Sequence, residues 1–350
     1  MLPCGTFNKT YGQAMATIRT PLQWGLFIVF LTVLLALPAF AAPALLDYLI
    51  IVGIFVIAVL GLNIVMGLCG QISLGQAAFM AIGGYTAGIL AVQGMPWLLA
   101  LVVGIIASGA AGFLFGLPSL RVKGFYLLVA TAAAHFIITW IIIFPAEHWS
   151  GGFDGMNVPF FEAGGFVFSS TQSLYWLVIS FAILATFAAK NISRTRLGRA
   201  FIAIRDNDLA AEVMGINVFR YKVIAFVISA MFGGLAGGLL GAFLSSLAPD
   251  TFNLMEAIWM LGMLIVGGSG STLGVILGVV FLKGLKQLTW MYGPALYLLA
   301  PDLFSADIYA AIVHVLFGLV IILFLIYEPR GLSHRWEIIK MSSRLHPFSY

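Results

Sequence analysis

Apolar stretches of about 20 residues, the length a helix needs to cross a bilayer, recur along almost all of this 350-residue chain. No polar segment between them is long enough to build a core of its own. With 62% of its residues hydrophobic and 9% charged, the chain stands far from the soluble average of about a quarter charged. In hydrocarbon only helices and closed barrels satisfy every backbone polar group. The chain is therefore expected to be an all-α polytopic membrane protein of about 8–10 transmembrane helices, some of them broken or re-entrant.

Lys and Arg flank the apolar runs, as the positive-inside rule requires of cytoplasmic loops. They form no basic face, so the expected surrounding is the lipid bilayer and not nucleic acid. On this reading residues 1–21 are a cytoplasmic segment and 22–328 a transmembrane domain. Residues 145–171 form an external loop, with Glu147, Asp154 and Glu162 but no Lys or Arg. Residues 190–222 form a cytoplasmic loop and 329–350 a cytoplasmic tail, so both termini lie inside. Lys283 and Lys286 alone do not fit. Around them, 256–282 reads as two short crossings or a re-entrant hairpin, and 288–300 is short for a crossing. Cys4 and Cys69 lack metal-ligand or disulfide spacing. No nucleophile, paired-carboxylate or metal-ligand set stands out, so no catalytic residue, metal or cofactor is expected.

The one long polar interruption, Lys190 to Lys222, carries seven Lys or Arg residues. Within it Arg205 to Gly215 predicts a short helix. Asp206 and Asp208 fall in its first turn, where the helix dipole favours negative charge, and Gly215 is placed to end it. Such a loop docks a protein or lies on anionic lipid. A second interruption, Gly67 to Gln76, offers Gln71, Ser73 and Gln76 beside backbone freed by glycine, with Asn63 before it and Tyr85 after. Irregular backbone at membrane depth survives only against protein or a water-filled path. The stretch reads equally as a polar section of a translocation path and as a plain turn at the cytoplasmic surface. Thr131 and His135, four residues apart, share one face of a span. An ionisable group there is a functional candidate or a neutral histidine bonded to a neighbouring helix. No Asp, Glu, Lys or Arg is placed securely in mid-span, which argues against a proton- or sodium-driven carrier.

Several stretches together resemble the M-type permease subunit of the branched-chain amino acid ABC transporters. Gly61-Leu62-Asn63 through Gly75-Gln76-Ala77-Ala78-Phe79 is similar to its second-helix signature. Leu120-Arg121-Val122-Lys123-Gly124, Gly151-Gly152-Phe153-Asp154-Gly155, Ala203 to Asn217, Gly267 to Gly274 and Glu328-Pro329-Arg330-Gly331-Leu332 follow in family order. The resemblance covers residues from about 45 to about 332. It implies an inner-membrane permease of the ABC importer type, paired with a second homologous permease subunit. Two cytoplasmic ATPase subunits would supply ATP and Mg chemistry, and a periplasmic solute-binding protein would deliver solute. Arg205, Asp206, Asn207, Asp208, Ala210, Ala211 and Gly215 would form the segment that couples to an ATPase. Asn63, Gln71, Ser73, Gln76, Tyr85, Thr131 and His135 are the candidate path residues. The implied solute is a branched-chain amino acid, with urea, short amides or another small solute as the family's alternatives. The broken helices and His135 keep an ion-coupled secondary transporter or channel as the contrasting class. The chain departs from the pattern at Cys69 and at Gln76, where His is frequent in relatives.

Overall fold

The computed structural model describes residues 21–117, 122, 124–163, 165–299, 306–328 and 330–345, which form a helical bundle with two short β-ribbons. Cys4, Lys9, Arg19, Arg121 and Lys123 lie outside the described residues. Helix α1 (Pro21–Ala36) and helix α2 (Pro43–Leu62) both open on proline, whose missing N–H has no helical partner to lose at that position. Then follow α3 (Gln76–Val92), α4 (Trp97–Gly116), α5 (Phe125–Ile143) and α6 (Thr171–Arg194). Two short helices, α7 (Arg196–Asp206) and α8 (Asp208–Val213), lead to α9 (Val218–Leu244). The chain closes with α10 (Leu254–Gly267), α11 (Thr272–Leu299), α12 (Ala306–Tyr327) and α13 (Leu332–Leu345).

Among the described residues seven helical stretches are long and apolar enough to cross a membrane. The bent pair His314–Tyr327 and Leu332–Ile339 would make an eighth, and Ile28–Ala39 and Gln76–Val92 are apolar but shorter. Helix α2 is the axis: every residue from Val52 to Leu62 is buried, as expected of a helix that is apolar all round. Against it lie α6 and α9, with α10 and α11 alongside, while α3 and α4 pack on α9 and on each other. These helices meet backbone to backbone. A Cβ built on Gly104 would stand 2.7 Å from Gly83 O, and one on Gly84 would stand 2.9 Å from Gly237 O. Small residues at such crossings supply the close packing that replaces a hydrophobic driving force in lipid.

The ambiguous region resolves as a helical hairpin. Helices α10 and α11 turn at Gly268 to Ser271 and pack with Gly267 against Gly274 and Gly278. The stretch 288–299 is no separate element but the continuation of α11. The hairpin also corrects the reading of the charges. Glu256 on α10 pairs with Lys283 at 3.5 Å and with Lys286 at 3.2 Å on α11, inside two of the candidate spans. The Lys283 ammonium also sits 3.2 Å from the centroid of the Phe55 ring. Charge is tolerated at this depth because the Glu256 carboxylate is shared by both ammonium groups across the hairpin, offsetting one of the two positive charges.

At the end of the bundle remote from α7 and α8, the loop 145–171 folds over the helices. Strand β1 (Met156–Asn157) pairs antiparallel with β4 (Ser246–Leu247), and β2 (Phe161–Ala163) with β3 (Phe166–Phe168). Trp97 Nε1 donates to Pro159 O at 3.0 Å, pinning this cover to the start of α4.

Candidate functional site

The predicted interruption at Gly67 is a change of helical pitch followed by open chain. After Leu62 the helix widens into one π-helical turn, Asn63–Leu68. Gly70 then takes φ +73°, and the chain stays irregular until α3 begins at Gln76. Turns of this kind recur at functional sites because they free backbone groups and re-aim side chains. Here freed groups are met both locally and from other parts of the fold. Gly67 O accepts a hydrogen bond from Arg205 Nη1 at 2.9 Å. Leu74 N donates to Thr131 Oγ1 at 3.0 Å, and Gly75 N to Ser73 Oγ at 3.1 Å. Asn63 Oδ1 accepts from Gly270 N at 2.7 Å, which ties the π-turn to the turn of the α10–α11 hairpin. Gly268 of that turn packs in its other direction on Arg330 and Ser333.

The basic stretch is more helical than a loop. Helix α6 runs on to Arg194 and α9 begins at Val218, leaving α7 and α8 as the connector. The single helix expected from Arg205 is divided at Asn207. Its side chain caps α8, accepting from Ala210 N at 3.1 Å, as a favoured N-cap residue does. Asp208 therefore stands in the first turn of α8, whereas Asp206 is the last residue of α7 and pairs with Arg205 at 3.2 Å. Gly215 has φ +84° just past the end of α8, and Ile216 N returns to Ala211 O at 3.0 Å, the left-handed closure glycine permits. Ala211 is buried. Leu209, Val213 and Met214 are 68%, 87% and 82% exposed, respectively, on the outer side of the connector.

Between this connector and the π-turn lies a cavity of about 360 Å³. Gly70 and Gln71 form one side and Arg205 to Asp208 another, with Leu127, Ile204 and Lys222 closing it. Gln71 is 6% exposed, and among the described residues neither its Nε2 nor its Oε1 has a hydrogen-bond partner. Lys222, which the sequence reading counted only as a flanking charge, is buried beside it and faces Asp208 at 3.6 Å. Burial pushes the neighbouring Cys69 thiol up to about 12, with Lys222 pulling the other way.

The predicted path residues do not form one cluster. Gln71, Ser73, Asn63 and Thr131 gather around the interruption. Gln76, deeper in the bundle, donates to Ala58 O at 2.8 Å and Ser229 O at 3.3 Å and accepts from Ser229 Oγ at 3.0 Å. It stitches α3 to α2 and α9. Tyr85 reaches the other end, where its hydroxyl donates to Leu247 O at 3.3 Å. His135 is buried against Phe136, with Nδ1 unpartnered among the described residues. Also among the described residues, no group of three His, Cys, Asp or Glu could hold a metal ion.

Comparison with known proteins gives one consistent family. The family described as branched-chain amino acid transport system / permease component matches residues 44–325. The high-affinity branched-chain amino acid transport system permease protein LivM of Escherichia coli is 32% identical over 289 residues, 75% of this chain and 68% of its own. The probable branched-chain amino acid transport permease protein LivM of Methanocaldococcus jannaschii is 25% identical over 249 residues, 69% of each chain. A ribose import permease protein, RbsC of Bacillus subtilis, is 28% identical over 270 residues, 75% of this chain and 82% of its own. No solved structure matches.

Proposed function

This chain belongs to the permease components of branched-chain amino acid transport systems, and from that membership we propose that it forms part of the transmembrane path of an ATP-driven importer for branched-chain amino acids. It is a multi-pass membrane permease and has no catalytic role of its own. In this reading residues 22–328 are the permease domain of a bacterial inner-membrane protein, with 145–171 periplasmic and both 190–222 and 329–350 cytoplasmic. A second homologous permease completes the path, a periplasmic binding protein delivers the solute, and two cytoplasmic ATPases bind ATP and Mg.

The observation that carries the reading is the hydrogen bond from Arg205 to Gly67 O. It joins the connector, whose apolar outer side awaits a protein, to the helix interruption in the bundle's central helix. A displacement of α7 and α8 would be felt at that interruption, and the remaining polar groups of the site, Gln71 and Asn63, stand beside it. A coupling element needs two ends of this sort, one accessible to the motor and one in the path. The segment Arg205 to Gly215 is thus the ATPase-coupling element, and Gln71, Ser73 and Asn63 line the inner mouth of the path.

Reconstitution with the partner ATPases and binding protein in vesicles tests this. Labelled leucine is expected to accumulate only when ATP is present on the ATPase side. Accumulation driven by a proton or sodium gradient without ATP would sink the reading.

A further inference from the structure

The cavity between the connector and the interrupted helix is furnished beyond what a coupling contact needs. At about 360 Å³ it falls in the size range of small-molecule pockets, roughly 300–1,000 Å³. An amide side chain buried without a hydrogen-bond partner is costly, by about 1–3 kcal/mol, and native proteins keep few of them. Gln71 is such a side chain, and it opens into this cavity with one acceptor and two donors unused among the described residues. Lys222 and Asp208 bring a cation and an anion, 3.6 Å apart, to the same lining. Leu127 and Ile204 add an apolar wall. A cation, an anion, an uncommitted amide and an apolar wall within one small cavity complement a molecule with a carboxylate, an ammonium group and a hydrocarbon side chain.

We propose that this cavity is a binding site for an apolar α-amino acid arriving from the cytoplasm, at which accumulated solute holds the connector against the interrupted helix and slows further import. The carboxylate lies toward Lys222, the ammonium group toward Asp208, and Gln71 bonds whichever group is nearer. The side chain rests on Leu127 and Ile204. Such an occupant touches both the coupling connector and the interrupted helix. Its binding energy therefore favours the arrangement seen here over any in which the two have moved apart. The inference rests on the solute reading given above.

The experiment uses vesicles of the assembled transporter, with binding protein outside and ATP trapped inside on the ATPase side. They are loaded either with millimolar unlabelled L-leucine or with sucrose at equal osmolarity, and the initial rate of labelled leucine uptake is recorded. Internal leucine is expected to lower that rate roughly fivefold or more, the lower bound of ordinary allosteric coupling. In Leu127→Phe, which fills the cavity, and in Lys222→Gln, which removes its cation, the ratio of the two rates should return toward unity. Either variant suffices if the other does not assemble. An unaltered protein that imports leucine equally well from both loadings overturns the site. So does slowing that persists undiminished in both variants. If sucrose-loaded vesicles import no leucine at all, the solute reading itself falls, and this inference with it.

Discussion

Gln71 and Gln76 are the same residue five positions apart, and the fold treats them in opposite ways. Gln76 has its amide groups matched by Ala58 O and by both the backbone and hydroxyl oxygens of Ser229. Gln71, scarcely more exposed, has neither group matched among the described residues. The difference decides which of the two is available to a solute: a satisfied amide packs helices together, whereas an unsatisfied one beside a cavity invites a guest. Cys69 makes a similar point about its own chemistry. The thiolate is the reactive species, and a thiol raised to about 12 is almost wholly protonated at neutral pH. In a Cys4→Ser background, Cys69 is expected to react with maleimide far more slowly than a free thiol, and to speed up when the protein is unfolded. Prompt labelling of the folded protein at neutral pH would show that the wall of the cavity is open.

At the scale of elements, α7 and α8 carry the clearest prediction. Leu209, Val213 and Met214 expose their side chains on α8 and at its C-cap, and each would contribute about 1.5–3 kcal/mol if fully buried in an interface. Replacing all three with Ser should lower retention of the ATPase subunits on purified permease by about tenfold or more. The thermal midpoint of the permease alone should hold, since nothing buried is altered. Much of this connector was legible in the sequence. The acidic start and glycine stop marked α8, and Gly67 to Gln76 marked the interruption, because both depend on local residue chemistry. The division at Asn207 was less so: an asparagine cap and a helix-interior asparagine look alike until the neighbouring helix is placed, and Asp206 was assigned to the wrong helix as a result. Contacts far apart in sequence left no trace. Nothing near Asn63 announces Gly270, 207 positions later. Counting charges one at a time could not reveal that Glu256 pairs with two lysines across a hairpin.

At the scale of the whole molecule, the turn of the α10–α11 hairpin is the meeting point. Through Gly270 it holds Asn63 of the π-turn, and through Gly268 it packs on Arg330 and Ser333 ahead of and within α13. The Arg205 guanidinium approaches from the connector to bond Gly67 O. The central helix, the hairpin, the connector and α13 thus converge at one end, while the β-ribbons cover the other. The connector and the central helix share a buried apolar cluster that includes Phe201, Ile204, Ile64 and Leu68, and in the proposed function the charged bond from Arg205 to Gly67 O carries the connector's motion into the central helix. Bonds to charged groups contribute about 1.5–3 kcal/mol, so its loss should cost about tenfold to a hundredfold in coupling. The direct measurement is leucine imported per ATP hydrolysed by the reconstituted transporter, for Arg205→Ala beside the unaltered protein. Hydrolysis is expected to continue while import per ATP falls by about tenfold or more; an unchanged ratio would contradict the claim.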